Sequence, residues 1–122
     1  MFMEVSLIAV IVGAVIYILY GTIYYSLRLK GKEGANHPAH YAAAVLIGFI
    51  SSFLIGALVQ AFHQQGILPG AFLGLIVGLL ISVVYVKNSL FGLLSRRNMY
   101  IAIGDHLIIF PLIGAIHGYF LF

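Results

Sequence analysis

Near the carboxyl end an acid and a histidine stand side by side, Asp105-His106, and His117 follows on the same apolar stretch. On a helix His106 and His117 share a face but lie about 16 Å apart along the axis. They therefore mark two levels. His63 belongs with the level of His117, and His37-Pro38-Ala39-His40 with that of His106. Imidazole titrates near neutral pH and ligates metals, so polar clusters at two levels suit a proton or metal route. They equally suit interfacial rings in contact with water. The chain has no Cys, and one acid is the only expected partner, so the His37–His40 spacing is a weak metal pattern. No metal or cofactor is expected. There is no Ser–His–Asp order with supporting glycines, no phosphate-binding loop and no pair of carboxylates, so an enzyme is not expected either.

The elements that must position these residues follow from composition. Of 122 residues, 63% are hydrophobic and only 7% are charged, against roughly 25% charged in ordinary soluble domains. A soluble sphere of this size could not hide that much apolar surface, which excludes a soluble enzyme or a nucleic-acid module. A membrane helix needs about 20 apolar residues. Four stretches qualify, at 5–27, 41–62, 67–86 and 100–122, and only the last holds a charge, Asp105. An ionised side chain at mid-membrane costs about 2.5–3.5 kcal/mol, which explains the segregation. Barrel strands would alternate in polarity, and 8–16 and 73–81 do not. The expected fold is all-α, four transmembrane helices in one antiparallel bundle forming a single membrane domain.

Orientation follows from the cations. Arg28, Lys30 and Lys32 lie between spans one and two, and Lys87, Arg96 and Arg97 between spans three and four. Cytoplasmic loops collect Lys and Arg, so loops 28–40 and 87–99 are expected in the cytoplasm and both termini outside. The net charge of +3 then reads as an orientation signal and a contact with anionic headgroups, not as nucleic-acid binding. The first span has no basic residue before it and is too long for a signal-peptide core, so it is expected to stay. The expected location is a bacterial inner or plasma membrane.

Small residues at every fourth position mark faces where membrane helices approach closely. Span two has Ala44, Gly48, Ser52 and Gly56, span three has Gly70, Gly74, Gly78 and Ser82, and span four has Gly114 and Gly118. The simplest expectation is that spans two and three pack along these ridges; the alternative is that one ridge joins subunits. Span one carries a heptad seam, Ser6, Val10, Gly13, Tyr17, Tyr20, Tyr24 and Leu27, opposite a lipid face of Ile8, Val12, Val15, Leu19 and Ile23. The seam phenols either fill volume and bond backbone carbonyls or line a solute path. Tyr24 and Tyr25 fit a boundary anchor. The candidate polar path comprises Tyr17, Tyr20, His63, Asp105, His106 and His117. Asp105 could instead sit at headgroup level, paired with Arg96 or Arg97. Pro111 interrupts span four, and Pro69 starts span three. The halves share a plan of span, basic loop, span, and Tyr25-Ser26-Leu27-Arg28 is loosely like Tyr85-Val86-Lys87-Asn88.

The run Gly21-Thr22-Ile23-Tyr24-Tyr25-Ser26-Leu27-Arg28-Leu29-Lys30-Gly31-Lys32 resembles the amino-terminal signature of the domain of unknown function 1761 membrane proteins. That signature runs Gly, two apolar residues, Trp-Tyr-Ser-Pro, three residues, Gly-Lys. Leu112-Ile113-Gly114-Ala115-Ile116 looks like the family's last helix. Tyr24 stands where Trp is usual, Leu27 where Pro is, and Gly34 where a second Trp is common. The resemblance implies a four-helix bacterial membrane protein and brings no substrate. Two functions are expected to compete: passage of a small solute or ion by a homo-oligomer, or an accessory scaffold that binds a partner through its glycine faces. Membrane lipids are the other expected partners.

Overall fold

The computed structural model describes residues 5–28 and 38–121, with the backbone alone for Arg28 and residues 38–40. Glu4, Lys30, Gly31, Lys32, Gly34, His37 and Phe122 lie outside the described residues. Four helices follow in order: α1 Leu7–Arg28, α2 Pro38–Ala61, α3 Ile67–Leu90 and α4 Arg96–Tyr119. Each is long and apolar enough to cross a membrane, and at 1.5 Å per residue each exceeds the roughly 30 Å hydrocarbon thickness. The protein is an all-helical integral membrane protein. Along α1, Ile8, Val12, Val15, Leu19 and Ile23 are all exposed, as the expected lipid face requires.

The helices overrun the apolar stretches. α3 continues through Lys87 to Leu90, and α4 begins at Arg96 instead of residue 100. A helix need not stop where hydrocarbon stops, because its backbone bonds stay satisfied until a cap intervenes. Here the caps are specific. The Ser95 hydroxyl accepts from the Asn98 N–H at 3.1 Å, and the chain leaves α3 through Gly92 at φ 80°, a left-handed conformation suited to glycine. The expected 87–99 loop thus shrinks to residues 91–95 between α3 and α4.

The pairing of the ridges differs from expectation. α2 and α3 barely meet; α3 lies against α4, which also touches α1 and α2. A Cβ at Gly70 would run into the Gly114 carbonyl, one at Gly74 into the Phe110 carbonyl, and one at Gly78 would sit 2.7 Å from the His106 carbonyl oxygen. One at Gly118 would meet the carbonyl of Gly66, whose own N–H donates to the Gly118 carbonyl at 2.8 Å. The α4 side of this seam steps 106, 110, 114, 118, antiparallel to 78, 74, 70, 66. Ser82 is buried at its end and donates to the Gly78 carbonyl at 2.8 Å. Such backbone-on-backbone contact favours dispersion and Cα–H···O contacts of about 0.5–1 kcal/mol each.

The α2 ridge faces elsewhere. Gly48 meets Ala14, Tyr17 and Ile18 of α1, and Gly56 meets Val5 and His117. Ala44 is exposed. Ile55, Val59, Ile109, Phe110 and Ile113 form the core, with Tyr17, Tyr20, Leu73 and Val77 packed against it. α4, the least apolar helix, is thus the central one.

Candidate functional site

The buried polar residues gather in two places along α4. At the first, the Tyr25 hydroxyl of α1 donates to Asp105 Oδ2 at 2.8 Å. His106 Nδ1 lies 3.6 Å from the same oxygen and 2.7 Å from the Ala102 carbonyl oxygen. A carbonyl only accepts, so Nδ1 is the protonated nitrogen and donates. The imidazole stands between two rings, 5.2 Å from Tyr85 and 5.4 Å from Phe110, centroid to centroid. Asp105 is 6% exposed. It turns to Tyr25 and His106, whereas the alternative expectation paired it with Arg96 or Arg97. Helical side chains tilt toward the amino end, but eight or nine residues on α4 separate the carboxylate from those arginines, about 12 Å of axis.

Tyr25 and Tyr85 occupy the loosely matching positions of the two halves, and both approach this pair. Tyr24, the seam residue, instead donates to the Ile101 carbonyl at 2.6 Å. Gly104 leaves the room: a Cβ there would sit 2.5 Å from the Tyr24 hydroxyl. Tyr24 thus bonds a backbone carbonyl, and Tyr17 and Tyr20 pack on the core cluster.

The second place joins three helices. Ser52 Oγ of α2 and His117 Nε2 of α4 are 3.1 Å apart, both buried, at 0% and 4% exposure. Two glycines make the space. A Cβ at Gly13 of α1 would strike the Ser52 hydroxyl, and one at Gly56 would sit 2.5 Å from His117 Nδ1 and 2.9 Å from Val5 Cγ1. Two ridge positions of α2 thus serve a histidine. His63 is not part of this pair; it lies exposed in the turn after α2 at φ 53°.

Ile109, Phe110 and Ile113 separate the two places on α4, at 1%, 6% and 0% exposure. Apolar packing closes the bundle between them. Asp105 and His106 could offer two ligands to a cation, and among the described residues no third His or acid joins them. A groove of about 600 Å³ lies at the start of α4 instead, lined by Leu27, Arg96, Arg97, Tyr100 and Ile101.

Sequence reasoning singled out Asp105, His106 and His117 but not Tyr25 or Tyr85 as partners, nor Ser52 as the partner of His117. The signals were the matched Tyr positions of the two halves and a hydroxyl in the middle of a small-residue ridge. No protein-family model, curated protein or solved structure matches this chain.

Proposed function

We propose that this membrane protein passes a small solute or ion across the bilayer as a homo-oligomer, with Asp105, Tyr25 and His106 as its polar station. One observation supports this: a carboxylate inside a membrane helix, buried, held by a phenol from another helix and flanked by an imidazole. Ionisable groups at such depth are costly and typically mark ion pathways or proton relays. The core cluster closes the protomer between Asp105 and His117, so passage requires movement of α4 or a route between protomers. Pro111, inside α4 between the two stations, removes one backbone hydrogen bond where such a movement would act. In this reading the end bearing Lys87, Arg96 and Arg97 faces the cytoplasm, and no cofactor or covalent catalysis is involved. Membership in the domain of unknown function 1761 family belongs to the same proposal and adds no substrate to it.

The test is flux in reconstituted vesicles. Wild-type vesicles should conduct protons or monovalent cations above empty ones. Asp105→Asn should lower the flux about 10²-fold or more, the scale on which a positioned proton-transfer group contributes, and His106→Ala or His117→Ala should also change it. Flux unaltered in all three variants defeats the proposal.

The apolar closure between the stations favours a second reading, an accessory or scaffold protein whose polar pairs only fix helix packing. Wild-type vesicles no more conductive than empty ones, together with a stoichiometric partner in a mild-detergent extract, would decide for it.

A further inference from the structure

The geometry points to a binding site for an anionic phospholipid in the groove between the end of α1 and the start of α4. The groove is lined by Leu27 of α1 and by Arg96, Arg97, Tyr100 and Ile101 of α4. Its α4 lining is graded along the helix axis. Arg96 and Arg97 lie in the first turn of α4, and Ile101 lies about 7.5 Å further along the axis. Leu27, one residue before the end of α1, stands at the same face of the bilayer. Two guanidinium groups, a phenol and two aliphatic side chains in one groove offer partners to a phosphodiester, a glycerol backbone and the first acyl methylenes. Guanidinium forks suit phosphate oxygens through paired N–H donors.

The electrostatics favour an anion there. No acid occupies the first turn of α4, the end where a helix dipole is positive and acids are normally favoured. Two arginines stand there instead. The floor of the groove is fixed, because Tyr24 bonds the Ile101 carbonyl at 2.6 Å and ties α1 to α4 directly beneath it. A groove with set walls at headgroup depth selects an amphiphile over a soluble anion. The site is independent of any transport through the bundle.

Native mass spectrometry of the full chain in mild detergent tests this, with phosphatidylglycerol and phosphatidylcholine of the same acyl chains as probes. Wild type should retain phosphatidylglycerol about tenfold better than phosphatidylcholine. Arg96→Gln/Arg97→Gln should abolish that preference. Lys87→Gln, a charge loss outside the groove, should keep it within twofold. The single Arg96→Gln and Arg97→Gln variants carry the same readout should the double variant not fold. Preference retained without the arginines overturns the site, as does equal loss in Lys87→Gln, which would mean general surface charge. Glycerol phosphate that displaces the lipid at equal concentration also overturns it, because the groove would then hold a soluble phosphate.

Discussion

The Tyr25 hydroxyl donates to Asp105 Oδ2 at 2.8 Å, joining α1 to α4 across 80 residues of sequence. The carboxylate would otherwise be a buried acceptor in a medium with no water to replace the donor. Tyr25→Phe should therefore destabilise the fold by about 1 kcal/mol, within the range measured for interhelical bonds in membranes. Unfolding in mixed detergent micelles measures it. A double-mutant cycle with Asp105→Asn should give a coupling of about 0.5–1.5 kcal/mol; additive effects would show that the bond contributes nothing.

The α3–α4 seam gives a sharper contrast among glycines. Gly74→Ala puts a methyl against the Phe110 carbonyl and Pro111 Cα, which are backbone atoms that cannot swing aside. It should cost about 1–3 kcal/mol, the usual penalty of overpacking, and lower the thermal midpoint in detergent. Gly21→Ala is the control: nothing lies within 4 Å of its added carbon, and alanine is the better helix former. That variant should be neutral or slightly stabilising.

These two glycines show what sequence could tell. Four spans were legible because eight of nine charges lie outside them, which only hydrocarbon explains. The ridge at Gly70, Gly74 and Gly78 was legible as a close-approach face, but small residues name no partner. The facing ridge on α4 runs through His106 and Phe110 before reaching Gly114 and Gly118. Those two large side chains turn aside and leave their carbonyls to α3, so half of the seam carries no small-residue mark. Asp105 was legible as an intramembrane acid. Tyr25 was not, because the heptad seam turns Tyr24 inward, and the flank of α1 that carries Tyr25 faces α4 only once the crossing of the two helices is known.

Ser52, Gly56 and His117 form a unit whose parts should be non-additive. Gly56→Ala drives a methyl into the imidazole and should destabilise by about 1–3 kcal/mol. His117→Ala removes the ring and leaves the Ser52 hydroxyl without its partner, a loss of about 1 kcal/mol beyond the cavity it opens. In the double variant the added methyl enters vacated space, so the combined cost should fall below the sum of the two. Equal sums in a detergent unfolding cycle would place His117 away from Gly56.

Orientation can be read chemically because the chain contains no Cys, so a single introduced thiol reports alone. Gln64 lies in the turn between α2 and α3, and Lys87 is exposed near the end of α3. α3 separates them by the full width of the bilayer, since 20 residues from Ile67 to Val86 rise about 30 Å. With the basic ends inside, Gln64→Cys should react with an impermeant maleimide on intact cells, and Lys87→Cys only after permeabilisation. The reverse pattern would invert the orientation while leaving the fold intact. It would also place the Arg96–Arg97 groove in the outer leaflet, where the anionic-lipid selectivity argued above would have to be sought instead.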